Sequence, residues 1–119
     1  MEITQLTYFK TVAKYESFTK AAMELHITQS ALSRSIAQLE SEIGVLLFER
    51  KKGGKITLNN DGRFFLQHVI QMLNGLDNTV AAVKERAGLE RGVIQLALNE
   101  GIYIRHILRR FLLDHSNVQ

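Results

Sequence analysis

Apolar residues recur at helical spacing from the start of the chain. Ile3, Leu6, Phe9, Val12 and Ala13 mark one face of a first amphipathic helix. Ser17 or Thr19 can cap a second, short helix with apolar positions Phe18, Ala21, Ala22 and Leu25, ending near His26. Thr28 offers a hydroxyl to the free backbone N–H groups of the following turn and so opens a third helix. Leu32, Ile36, Leu39 and Ile43 share one face of it, and Gly44 is placed to stop it. Two β-prone pieces, around Leu46–Glu49 and Lys55–Leu58, flank Gly53-Gly54 and predict a β-hairpin. Asn59 or Asn60 then caps a long helix that begins near Asp61 and runs to about Ala87, with Gly75 its one weak point.

In that long helix Leu66, Val69, Leu73, Leu76, Val80, Val83 and Ala87 alternate spacings of three and four. Such a period, close to 3.5 residues, keeps an apolar seam on one side as helices supercoil, so Leu66, Val69, Leu73, Leu76, Val80 and Val83 are expected to hold a homodimer. The competing explanation, packing on the chain's own core, calls for a broader apolar face. Gly88 and Gly92 bracket a linker. Val93–Asn99 alternates like a strand, and Ile102–Leu113 returns to helical spacing. One strand and one helix cannot close a core, so this tail is expected to begin a truncated α/β domain. The expected fold is mainly α. A winged helix-turn-helix domain occupies 1–59, with the helix-turn-helix over about 18–43 and the wing over about 46–58. The linker, or dimerisation, helix takes 60–88, and 89–119 supplies the first strand and helix of the next domain.

The third helix has the outer face of a DNA reader. Ser30, Ser33, Arg34, Ala37 and Ser41 point away from its apolar side and are small except for Arg34. Small groups allow close approach to the major groove, and a long donor reaches a base edge. Gln29, in the first turn, can pair with adenine and Arg34 with guanine, while Thr28, Ser30 and Ser33 can bind phosphates or bases. On a lone helix, small polar residues would be an ordinary solvent face. Here a short Ala-rich helix and a three-residue turn precede it, which completes a helix-turn-helix unit. The hairpin that follows carries Arg50, Lys51, Lys52 and Lys55, suited to sequence-independent contacts with the DNA backbone or minor groove.

Composition adds exclusions. The net charge is only +3, but 50–63 holds Arg50, Lys51, Lys52, Lys55 and Arg63 against one acid, Asp61. Proline is absent, which favours helix. Cysteine is absent too, which excludes disulfides and thiolate metal sites and points to a reducing cytoplasm. No apolar run reaches the roughly 18 residues of a membrane span, and the N-terminus does not read as a signal peptide. His26, His68, His106 and His115 lack metal-ligand spacing, and no nucleophile, phosphate loop or carboxylate pair stands out. Glu40 and Glu42 are expected to be solvated or paired with nearby bases. Neither enzyme activity nor a metal or cofactor is therefore expected. The alternative function is a winged-helix module for protein–protein association, which has no need of Arg34 beside Ser30 and Ser33 or of a lysine-rich hairpin tip.

The run SFTKAAMELHITQSALSRSIAQLESEIGVLLFER resembles the N-terminal domain of LysR-type transcriptional regulators, and the similarity extends from MEITQLTYFKTVAKYESFT through ITL to RGVIQLAL. The resemblance implies a bacterial regulator in which a linker helix dimerises the winged-helix domains. It also implies an inducer-binding domain of two α/β subdomains. Full-length members are commonly tetrameric, bind pseudo-palindromic promoter sites and take a small-molecule inducer. On this likeness Gln29, Ser33 and Arg34 fall on DNA-contacting positions of the recognition helix, and Arg50 on the basic residue that opens the wing. Position 30 is often proline in the family; Ser30 restores a backbone N–H there.

Overall fold

Three helices form where the apolar pattern places them: α1 (Ile3–Tyr15), α2 (Phe18–Leu25) and α3 (Gln29–Ile43). The structure, a computed structural model, describes residues 1–100. Two compact units divide the chain, Met1–Leu76 and Asp77–Gln119. In the first, Ser17 caps α2 by accepting from the Lys20 N–H, and Thr28 caps α3 by accepting from the Ala31 N–H. The turn between them is the three residues His26, Ile27 and Thr28. His26 takes the left-handed conformation (φ 56°), and the Ile27 N–H returns to the Ala22 carbonyl. This backward bond satisfies a carbonyl at the end of α2 and lets the chain reverse within one turn.

The wing follows. Strands β1 (Phe48–Arg50) and β2 (Ile56–Leu58) pair antiparallel, with Phe48 opposite Leu58 and Arg50 opposite Ile56. Gly53 and Gly54 both have positive φ at the tip, a conformation glycine adopts without steric cost. Helix α4 (Asn60–Glu100) begins directly after β2. Asn59 is its cap, accepting from the Gly62 N–H.

The core of the first unit is made by Leu6, Phe9 and Val12 of α1, Ala21 and Ala22 of α2, and Leu32, Ile36 and Leu39 of α3, sealed by Leu47, Ile56 and Val69. The Phe9 ring lies between those of Phe48 and Phe65, with centroids 5.4 and 5.2 Å away. One aromatic side chain thus joins the first helix, the wing and the start of α4.

Two expectations from the sequence do not hold. Val93–Asn99 is helical, not a strand, and the glycines of the expected linker lie inside α4. A strand must find a neighbour to pair its backbone, and β1 and β2 pair only with each other among the described residues. In a helix the same residues satisfy their N–H and C=O groups within the segment. Val69, expected in the dimer seam, is fully buried in the core of its own unit; Leu66 and Leu73 are half-buried against that core. The helix expected at Ile102–Leu113 lies outside the described residues.

Candidate nucleic-acid interface

The two faces of α3 divide as its sequence predicts. Leu32, Ile36 and Leu39 are buried, which fixes the helix on α1 and α2. Thr28, Gln29, Ser30, Arg34, Ala37 and Ser41 are exposed, and Ser33 is partly so. The exposed side therefore carries one long cationic donor, Arg34, among neighbours that are short except for Gln29 and Gln38.

The wing presents Arg50, Lys51, Lys52 and Lys55, all exposed. The ion pairs among the described residues are Met1 with Glu42, Lys14 with Glu24 and Arg86 with Glu90. None involves Arg34 or the four wing cations, so their charge is not neutralised by an ion pair among the described residues. Arg63 belongs to the same basic cluster in sequence but acts within the fold. It donates to the Leu58 carbonyl (2.9 Å) and to Asn60 Oδ1, clasping the junction of β2 and α4. The Arg50 guanidinium lies over the Phe18 ring, 5.8 Å from its centroid, close enough for a cation–π contact. The next residue, Thr19, donates its hydroxyl proton to Gln29 Oε1 at 3.1 Å. The first turn of α2 thus touches the wing through Phe18 and the first turn of α3 through Thr19.

A second set of bonds ties the C-terminal end of α3 to the wing and to α4. Glu40 Oε2 accepts from the Leu47 N–H at 2.6 Å. The Leu47 carbonyl accepts from the Asn59 N–H, and the Asn59 side-chain amide donates to the Leu46 carbonyl at 2.7 Å. A methyl group built on Gly62 would stand 2.0 Å from the Leu47 oxygen, so α4 approaches the base of the wing more closely than any other residue would allow. These contacts set where the wing stands with respect to the exposed face of α3.

Glu40, expected to be solvated or paired with a base, is half-buried and bonded to the backbone instead. Its partner is a backbone amide seven residues along, which no charge pattern reveals. Glu42, as expected, is exposed and paired with a nearby basic group, the N-terminal ammonium at 2.8 Å. The roles of Thr19, Glu40 and Gly62 were not visible in the sequence. Only Gly62, a glycine two residues into a helix, carried a signal: a residue of poor helix propensity placed where the helix begins.

Residues 3–63, about half of the chain, match the family described as "Bacterial regulatory helix-turn-helix protein, lysR family". The HTH-type transcriptional regulator BsdA of Bacillus subtilis (strain 168) is 42% identical over 85 residues, covering 71% of this chain and 29% of that protein. The HTH-type transcriptional regulator BenM of Acinetobacter baylyi (strain ATCC 33305 / BD413 / ADP1) is 40% identical over 94 residues, covering 78% of this chain and 30% of that protein. The chain thus spans about a third of the length of these curated relatives. The crystal structure of the BenM DBD/benA site 1 DNA complex matches with a TM-score of 0.68 at 41% identity, over 71% of this chain and 98% of that one. The CbnR DBD–DNA complex matches with a TM-score of 0.69 at 32% identity, over 73% and 99%.

Proposed function

This chain belongs to the lysR family of bacterial regulatory helix-turn-helix proteins, and we propose that it is the DNA-reading part of a sequence-specific transcriptional regulator. Residues 1–59 are the reader and the helix from residue 60 is its linker. α3 enters the major groove, where Gln29, Ser30, Ser33 and Arg34 meet base edges and Thr28 meets phosphate or base. Arg50, Lys51, Lys52 and Lys55 lie along the backbone or in the minor groove. Two copies associate through α4, so the bound site has matching two-fold symmetry. The protein works in the cytoplasm and has no catalytic role; its inducer is bound by a part of the full-length protein beyond this reader.

The observation that carries this reading is the exposed face of α3, where Arg34 stands with Gln29 among small residues, beside a wing whose four cations have no acidic partner among the described residues. An interaction-only module would not need such charge, and the DNA complexes of similar domains weigh against it.

The test is fluorescence anisotropy on a duplex selected from a random pool. Arg34→Ala should weaken binding to that duplex by about 1–3 kcal/mol, the value of one bidentate base contact, while leaving non-specific binding nearly unchanged. Lys52→Ala should weaken all duplexes alike and reduce the salt slope by about one. Affinity that is insensitive to salt, or specific binding indifferent to Arg34→Ala, rejects the reading.

A further inference from the structure

Thr19 and Gln29 stand on different helices and meet through one hydrogen bond, Thr19 Oγ1–H to Gln29 Oε1 at 3.1 Å. Thr19 is not occupied as a cap, because Ser17 caps α2. Both side chains are exposed, so neither serves the core. A carboxamide is asymmetric: its oxygen accepts and its amino group donates. With Oε1 held against α2, the amino group is the free end of Gln29, and it has no hydrogen-bond partner among the described residues.

In the major groove an amino group finds acceptors at N7 and O6 of guanine, N7 of adenine and O4 of thymine. Cytosine presents only its N4 amino group, itself a donor. A free glutamine could turn its amide by half a rotation and accept from cytosine or pair with adenine through both ends, since the terminal torsion is soft and nearly two-fold. In the structure the Thr19 hydroxyl gives its proton to Oε1, and the amino group is the end left free.

Resting on the reading of α3 as the recognition helix, we propose that Thr19 is a positioning residue that holds the Gln29 amide in one orientation, so that one base position in each half-site rejects cytosine. Thr19 touches no base in this scheme. It sets which end of Gln29 does.

The experiment is selection from a random duplex pool with the wild-type protein, Thr19→Val, Thr19→Ser, Gln29→Ala and the Thr19→Val/Gln29→Ala double variant. Circular dichroism on each confirms the fold. Wild type should disfavour cytosine at one position by about tenfold, the scale of a single base contact. Thr19→Val keeps the shape and removes the hydroxyl, so cytosine should rise toward the other bases at that position and nowhere else. Thr19→Ser should restore the exclusion. In the Gln29→Ala background, Thr19→Val should change nothing. The proposal is overturned if Thr19→Val retains the exclusion, if it weakens every sequence equally (a phosphate or structural role), or if wild type prefers cytosine. A wild-type protein that recovers no common sequence fails differently: it rejects the recognition-helix reading itself, and the proposal with it.

Discussion

The two halves of α4 carry the same alternation of apolar residues in opposite surroundings. In the first unit Val69 is 0% exposed, and Leu66, Leu73 and Phe65 pack against the core that Phe9 and Leu47 help to form. In the second, Val80 is 43% exposed and Val83 62%. The pattern is continuous, so it is not what separates them. The first half is anchored by Asn59 and Gly62 to the base of the wing and has a core to lie on. The second half has no described residues that bury its stripe. A heptad repeat states that one side of a helix is apolar and leaves open what covers it. Here one domain supplies the cover for the first turns, and under the proposed function a second copy supplies it for the later ones.

The sharpest way to break this contrast is Val69→Asp. It places a carboxylate in a sealed core with nothing to pair it, at a cost of several kcal/mol, comparable to the whole stability of a small domain. Cooperative thermal unfolding followed by circular dichroism should be lost. A variant that melts like wild type would show that the first half of α4 is not held by its own domain.

Gly62→Ala is expected to have the next largest effect. Alanine is the better helix former by about 1 kcal/mol, so propensity alone predicts stabilisation. The clash with the Leu47 carbonyl should reverse the sign, with a net loss of about 1–3 kcal/mol and a melting temperature lower by several degrees. Gly75→Ala is the control. A methyl group there meets nothing within 4 Å, and the melting temperature should rise or stay unchanged.

The smallest effect on stability belongs to Val83→Asp, within about 0.5 kcal/mol, as for exposed positions in general. Its consequence should appear in association instead: light scattering at micromolar concentration should shift toward monomer, and binding to a two-fold symmetric duplex should weaken. If dimerisation is untouched, Val83 lies outside the interface.

Most of the reader is written in local spacing. The Thr28 cap, the Leu32–Ile36–Leu39 face and the Gly44 stop are relations among residues three or four apart, and helical geometry makes those neighbours in space. The outward set Gln29, Ser30 and Arg34 follows as the complement of the inward one. The wing was legible to within a few residues, because Gly53-Gly54 marks the tip wherever the strands begin and end. The strand expected at Val93–Asn99 failed for the opposite reason: strand pairing depends on a neighbour, and alternation over seven residues does not create one.

By itself, then, the sequence determined the helices of the reader, the Thr28 cap, the exposed face of α3 and the basic wing, since each is written in short-range spacing and side-chain type. Only the tertiary structure decided that Val69 belongs to the core, that Glu40 holds the Leu47 amide, that Gly62 admits the Leu47 carbonyl and that Thr19 engages Gln29. Each of these is a meeting of groups that no local repeat encodes. It comes into being when buried apolar surface draws separate elements together and the polar atoms at their junctions must find partners.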